Sequence, residues 1–125
     1  MSRQKVLGKL GEDCAAKFLE AEGYTIVERN FRIRSAEIDI IARRDNLIIF
    51  VEVKARSNIR HGLPVEAVNL RKQKKIIEAA GVFLQDENFC DCACRFDVVE
   101  VYLRGEFVEE IHQIENAFEV VGEFS

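Results

Sequence analysis

The stretch Ala36–Arg56, AEIDIIARRDNLIIFVEVKAR, limits what this chain can fold into more than any other. Ile38–Ala42 and Leu47–Val53 are rich in Ile, Val and Phe, and Arg43-Arg44-Asp45-Asn46 between them is polar turn material, so a tight β-hairpin is predicted. Strand side chains alternate faces, which puts Glu37 and Asp39 on one face of the first strand. On the second strand Glu52 and Lys54 share a face, while Val51 and Val53 point the other way. A strand as apolar as LIIFVEV belongs in the middle of a covered sheet, where a Glu and a Lys are costly unless paired or bound to an ion. Two carboxylates on adjoining strands, with a Lys two residues on, suit a Mg²⁺ site for phosphodiester chemistry. The oxygens hold a hard cation, and the amine positions water and stabilises developing negative charge. The same spacing is also met by a charge-paired sheet in which Lys54 neutralises Glu52.

Around this hairpin the chain reads in order. Ser2 caps a helix running to about Glu22 and closed by Gly23. At 100° per residue its apolar stripe is Leu7, Leu10, Gly11, Cys14, Ala15, Phe18 and Leu19, with Glu12 at the edge where its carboxylate can reach the sheet. Gly8 and Gly11 cost helix propensity, which suggests close approach of another backbone. Tyr24–Ile33 reads as a first strand, with Tyr24, Ile26 and Glu28 on one face and Thr25, Val27 and Arg29 on the other. After the hairpin, residues 57–62 (SNIRHG) form a basic loop placed to touch a phosphate backbone, in which His61 reads as a surface residue.

Pro64 can start a second helix reaching about Gln85, with a break near Asn69. Its buried stripe is Ile76, Ala79, Ala80 and Phe83. Projected back one turn, Lys72 falls inside the stripe and Gln73 at its margin, whereas Lys74 and Lys75 fall outside. Lys72 is therefore expected either to reach the polar site of the sheet or to snorkel to water. Asp86–Ala93 reads as a loop. The spacing of Cys90, Cys92 and Cys94 is unlike that of zinc knuckles, so these read as plain thiols. Arg95–Leu103 is a nearly continuous apolar strand with Asp97 on the face of Val99 and Val101, and Arg95 with Asp97 reads as a structural ion pair. Phe107–Ile111 is a last strand, and Glu115–Phe118 a short docked turn.

A chain of 125 residues forms one domain, residues 1–125, able to bury a proper core. No apolar run approaches the ~20 residues of a membrane span, and Met1-Ser-Arg-Gln-Lys-Val lacks the apolar core of a signal peptide. Cytoplasmic residence, no membrane partner and reduced cysteines are the expectations. The net charge of −4 conceals an asymmetry: residues 1–80 carry 16 Lys and Arg against 11 Asp and Glu, while residues 81–125 carry 2 against 11. A nucleic acid would meet the basic first two thirds.

Asp39 followed at a distance by Glu52-Val53-Lys54 resembles the D…(D/E)-x-K signature of restriction-endonuclease-like nucleases. Gly8-x-x-Gly11-Glu12, Gly23-Tyr24, Asn30, Glu37-Ile38-Asp39, Phe50-Val51-Glu52-Val53-Lys54, Arg56, Lys72 and Arg95-Phe96-Asp97-Val98-Val99 together resemble the YraN-like family of small bacterial proteins, related in fold to Holliday-junction resolvases. The resemblance runs from about Gly8 to Phe118. It departs at Ala36, where the family usually has Gly, and at Ala55, where it usually has Thr. It implies an α/β fold with a restriction-endonuclease-like αβββαβ core, a mixed central sheet flanked by helices. It also implies a nuclease dependent on Mg²⁺ or Mn²⁺ and acting on DNA, structured or single-stranded, and by analogy a homodimer. On that reading Asp39, Glu52 and the Val53 carbonyl hold the metal with help from Glu12. Lys54 orients water, Lys72 or Gln73 touches the scissile phosphate, and Arg56, Arg60, Arg71, Lys74 and Lys75 contact the nucleic acid. The competing readings are a catalytically silent nucleic-acid-binding module and a protein-interaction scaffold.

Overall fold

The computed structural model describes residues 3–56 and 68–119; Arg60, His61 and Pro64 lie outside them. The elements run α1 (Arg3–Ala21), β1 (Thr25–Ile33), β2 (Ala36–Arg44), β3 (Leu47–Arg56), α2 (Leu70–Phe83), β4 (Ala93–Arg104) and β5 (Phe107–Phe118). The strands form one sheet in the order β1-β2-β3-β4-β5, antiparallel except for the parallel β3–β4 pair. Parallel neighbours need a crossover connection, and α2 lies in that crossover. This is the expected mixed α/β architecture, αβββαβ with a trailing strand.

The alternating apolar pattern of the central strands supplies both faces. Toward α1 point Ile40, Ala42, Ile49, Val51, Val99, Val101 and Leu103, meeting Ala15, Ala16 and Leu19. Toward α2 point Ile41, Ile48, Phe50, Phe96 and Val98, meeting Ile76, Ala79, Ala80 and Phe83. Phe83 stands edge-on to Phe31 and Phe50, and Phe96 stacks on Phe50 and Phe118. α1 ends in a Schellman turn: Tyr24 N–H donates to Leu19 O at 3.0 Å and Gly23 N–H to Glu20 O at 3.0 Å, with Gly23 at φ 95°. Gly11 is the point of closest helix–sheet approach, since a Cβ there would lie 2.7 Å from that of Ala55 on β3. Gly8, expected to share that role, faces open space.

Three local expectations change. Arg44 pairs with Leu47, so the hairpin turn is only Asp45-Asn46, with Asp45 at φ 54°, and Arg43 and Arg44 belong to β2. β1 does not alternate cleanly: its register shifts between Ile26 and Glu28, and Asn30 adopts φ 55°. Val27 consequently packs toward α2, while Arg29 reaches back to Glu12 and Asp13 on α1. The break expected near Asn69 is where α2 begins: the helix starts at Leu70, capped by Asn69, whose side chain accepts from Lys72 N–H at 2.9 Å. β5 runs on to Phe118 in place of the expected docked turn, because Asn116 at φ 52° donates its N–H to buried Asp97 and lets Phe118 pair with Phe96.

Candidate functional site

The β2–β3 ladder stops at Ile40 opposite Val51. One step further would set Asp39 directly against Glu52, and like charges facing each other destabilise a sheet. The strands part there instead. β2 continues paired with β1 to Ala36, and β3 with β4 to Arg56. In place of a ladder bond, Val53 N–H donates to Asp39 Oδ2 at 2.8 Å. A cleft of about 360 Å³ opens at this fork, lined by Ser35, Ala36, Glu37, Asp39, Glu52, Lys72, Lys75 and Ile76.

Glu52 is buried, and its Oε1 is met by Lys72 Nζ at 2.8 Å. The Asn69 cap fixes the first turn of α2, and from there the Lys72 side chain spans to β3. Burial opposes the Lys72 ammonium, but the bond to Glu52 and the charges of Glu52, Asp39 and Glu37 outweigh it and raise its pKa. Asp39 has no such cation. Burial, then the charges of Glu52 and Glu12, raise its pKa from 3.8 to about 7 against the opposing effects of the Val53 N–H and Lys72. Glu12, from α1, is held in place: its Oε1 accepts from Arg29 Nε at 3.0 Å, Arg29 Nη2 at 2.9 Å and Asn30 Nδ2 at 3.0 Å.

Lys54 lies on the same strand as Glu52 but has no ion-pair partner among the described residues, so the counter-charge assigned to it in the charge-paired reading belongs to Lys72. Gln73 is turned onto its own helix, donating from Nε2 to Val68 O at 2.6 Å. Arg56 Nε lies 3.3 Å from Oε2 of the buried Glu100. Arg71, Lys74 and Lys75 are exposed on α2, and of these Lys75 lines the cleft. Ala36 sits in regular strand pairing with Ile33, without the positive φ that a Gly would permit. Arg95 and Asp97 are a structural ion pair, as expected, at 2.8 Å, with Asp97 also accepting from Gln113. Cys14, on α1, packs into the core on the α1 side of the sheet, and Cys92 and Cys94 into the core on the α2 side, so the sheet separates them.

Two contributors escaped the sequence reading. Glu100 is directly beside Lys54 in the parallel register and is 2% exposed, receiving Arg56 and the Tyr102 hydroxyl at 3.2 Å. Alternation along β4 would have placed it opposite in face to Asp97, but only the pairing with β3 reveals its neighbour. Arg29 is the other, and Asn30 just after it, a residue type that tolerates positive φ, was the available signal.

Among the described residues no group of three or more His, Cys, Asp and Glu is arranged to hold a metal. The fork offers two carboxylates. Mg²⁺ is commonly held by one or two carboxylates, with water and substrate phosphate completing its shell, so this donor set fits such an ion.

Fold and site together define a mixed α/β domain with a part-buried acidic pair and a lysine-bearing helix at a sheet fork. The chain matches, over residues 11–101, the family described as "Uncharacterised protein family UPF0102", and it belongs to that family. It is 45% identical to a UPF0102 protein of Caldanaerobacter subterraneus subsp. tengcongensis over 92% of this chain and 96% of that one. It is 51% identical to one of Desulforapulum autotrophicum over 95% and 98%. Among solved structures, Pyrococcus furiosus SfsA in complex with Ca²⁺ aligns at a TM-score of 0.41 and 17% identity, covering 94% of this chain and 65% of that one, a likeness too loose to bear on function. No helix among the described residues is long and apolar enough to cross a membrane.

Proposed function

We propose that this protein is a nuclease of the restriction-endonuclease-like kind, related to the resolvases, that hydrolyses DNA phosphodiester bonds with Mg²⁺ or Mn²⁺. The observation that carries the reading is the acidic pair at the fork: Asp39 is driven to a pKa of about 7 by burial and by Glu52, in a cleft open enough for a phosphate. A protein keeps such a like-charge pair at a cost, which a divalent cation relieves.

Asp39, Glu52 and the Val53 carbonyl would hold the ion, with Glu12 acting through its charge on Asp39. Bound there, the ion would neutralise charge building on the phosphoryl oxygens and lower the pKa of a coordinated water. Lys54, on the face of Glu52, orients the attacking water by hydrogen bonding. Lys72 and Lys75 present ammonium groups to the scissile phosphate, and Arg71 and Lys74 contact flanking phosphates. The water oxygen bonds phosphorus in line as the bond to the 3′- or 5′-oxygen breaks; the attacking water gives up a proton to bulk water, and the leaving oxygen takes one from it.

The test is cleavage of single-stranded, flap and four-way-junction DNAs with Mn²⁺, for the wild type, Asp39→Asn and Glu52→Gln. Cleavage by the wild type alone, abolished by chelator, is expected. Equal cleavage by Asp39→Asn would expose a contaminant. No cleavage of any substrate, together with no rise in melting temperature on adding Mn²⁺, would favour the silent binding module.

A further inference from the structure

We propose that Lys72 is a stand-in cation, occupying Glu52 Oε1 in the metal-free protein and giving way when a divalent ion enters the cleft. This rests on the reading of Asp39 and Glu52 as the metal-binding pair. Glu52 is 7% exposed, so its charge needs a partner whenever no ion is bound. Lys72 supplies it across the cleft from α2, although Lys54 lies only two residues along β3.

The two cations compete for that oxygen. An ion about 2.1 Å from Oε1 and an ammonium 2.8 Å from it lie less than about 5 Å apart, like charges in a part-buried site. The ammonium is the one free to move. Lys72 is 45% exposed, so its side chain has a route to water. Its backbone, in contrast, is pinned by the Asn69 cap and by the Gln73 Nε2 bond to the Val68 carbonyl. Release is therefore a rotation of a flexible four-carbon stem, with α2 unmoved. It leaves the ammonium at the cleft rim beside Lys75, where an entering phosphate would meet it.

Competition for one oxygen makes each cation weaken the other's binding, and couplings of this kind are worth about 5- to 150-fold in affinity. The experiment is titration of the metal-stripped protein with Mn²⁺, following the free aqueous ion by electron paramagnetic resonance. It compares wild type, Lys72→Met, Lys72→Gln and Lys75→Met, the last removing an equal charge from the cleft rim without freeing Glu52. Both Lys72 variants are expected to bind Mn²⁺ at least about tenfold tighter than wild type and than Lys75→Met. Lys72→Gln keeps a hydrogen-bond donor for Glu52 and carries the test if Lys72→Met does not fold. Equal affinities for the Lys72 and Lys75 variants would overturn the exchange while leaving the metal site standing. No Mn²⁺ binding by any of the four would remove the metal site, and the exchange with it.

Discussion

Asp39→Asn should stabilise the metal-free protein, and by an amount that grows with pH. Burial first, and then Glu52, lift the Asp39 pKa from 3.8 to about 7, so the folded protein holds this proton more tightly than the unfolded chain does. The resulting stability is complete below pH 3.8 and lost as the pH rises through about 7. At 1.36 kcal/mol per pKa unit, the loss is about 2 kcal/mol at pH 5 and of order 4 kcal/mol at pH 8. Asn is nearly isosteric with the protonated acid, and its oxygen can still accept from Val53 N–H. The variant should therefore exceed wild type by those amounts, the larger gain corresponding to roughly 10 °C or more in melting temperature for a chain this size. Urea unfolding of both proteins with chelator present, at pH 5 and pH 8, measures the two differences. A variant no more stable than wild type at pH 8, or a gain that does not shrink in acid, would refute the account of Asp39 as a strained, unneutralised carboxylate.

Gly11→Ala gains helix propensity but sets a methyl 2.7 Å from that of Ala55, so a net loss of about 1–3 kcal/mol is expected in thermal unfolding, with recovery in the double variant Gly11→Ala, Ala55→Gly. Asp97→Ala strands Arg95 and the β5 donors Gln113 Nε2 and Asn116 N–H, and should cost about 3–5 kcal/mol by denaturant unfolding without altering Mn²⁺ affinity, since Asp97 lies on the α1 face of the sheet. Replacing Lys74 and Lys75 by Glu should weaken DNA binding and reduce the slope of log affinity against log salt by about 2, read by fluorescence anisotropy across a salt series. An unchanged slope would place any DNA on another surface.

Much of this was legible locally. The period-two pattern of LIIFVEV and the helical stripe Ile76, Ala79, Ala80 and Phe83 set out the central strand and the buried face of α2 as found. Asp97 lies on the face of Val99 and Val101 because nothing interrupts alternation along that strand. What local spacing does not carry is which elements meet. Lys54 was the nearest cation to Glu52 in the chain, yet Lys72 is its partner, because α2 crosses over the fork and brings a residue twenty positions away into reach. The buried partnership of Glu100 depends on the parallel pairing of β4 with β3, which no spacing within β4 encodes. Single residues at positive φ did the rest: Asn30 redirected β1, and Asn116 extended β5.

We infer that the strand fork holds a divalent cation between its two carboxylates. Anomalous diffraction from crystals soaked in Mn²⁺ tests it most directly. A single anomalous peak bridging Asp39 and Glu52 is expected, with Lys72 Nζ withdrawn from Glu52. A fork that stays without a peak at saturating Mn²⁺, with Lys72 still bonded to Glu52, would contradict it.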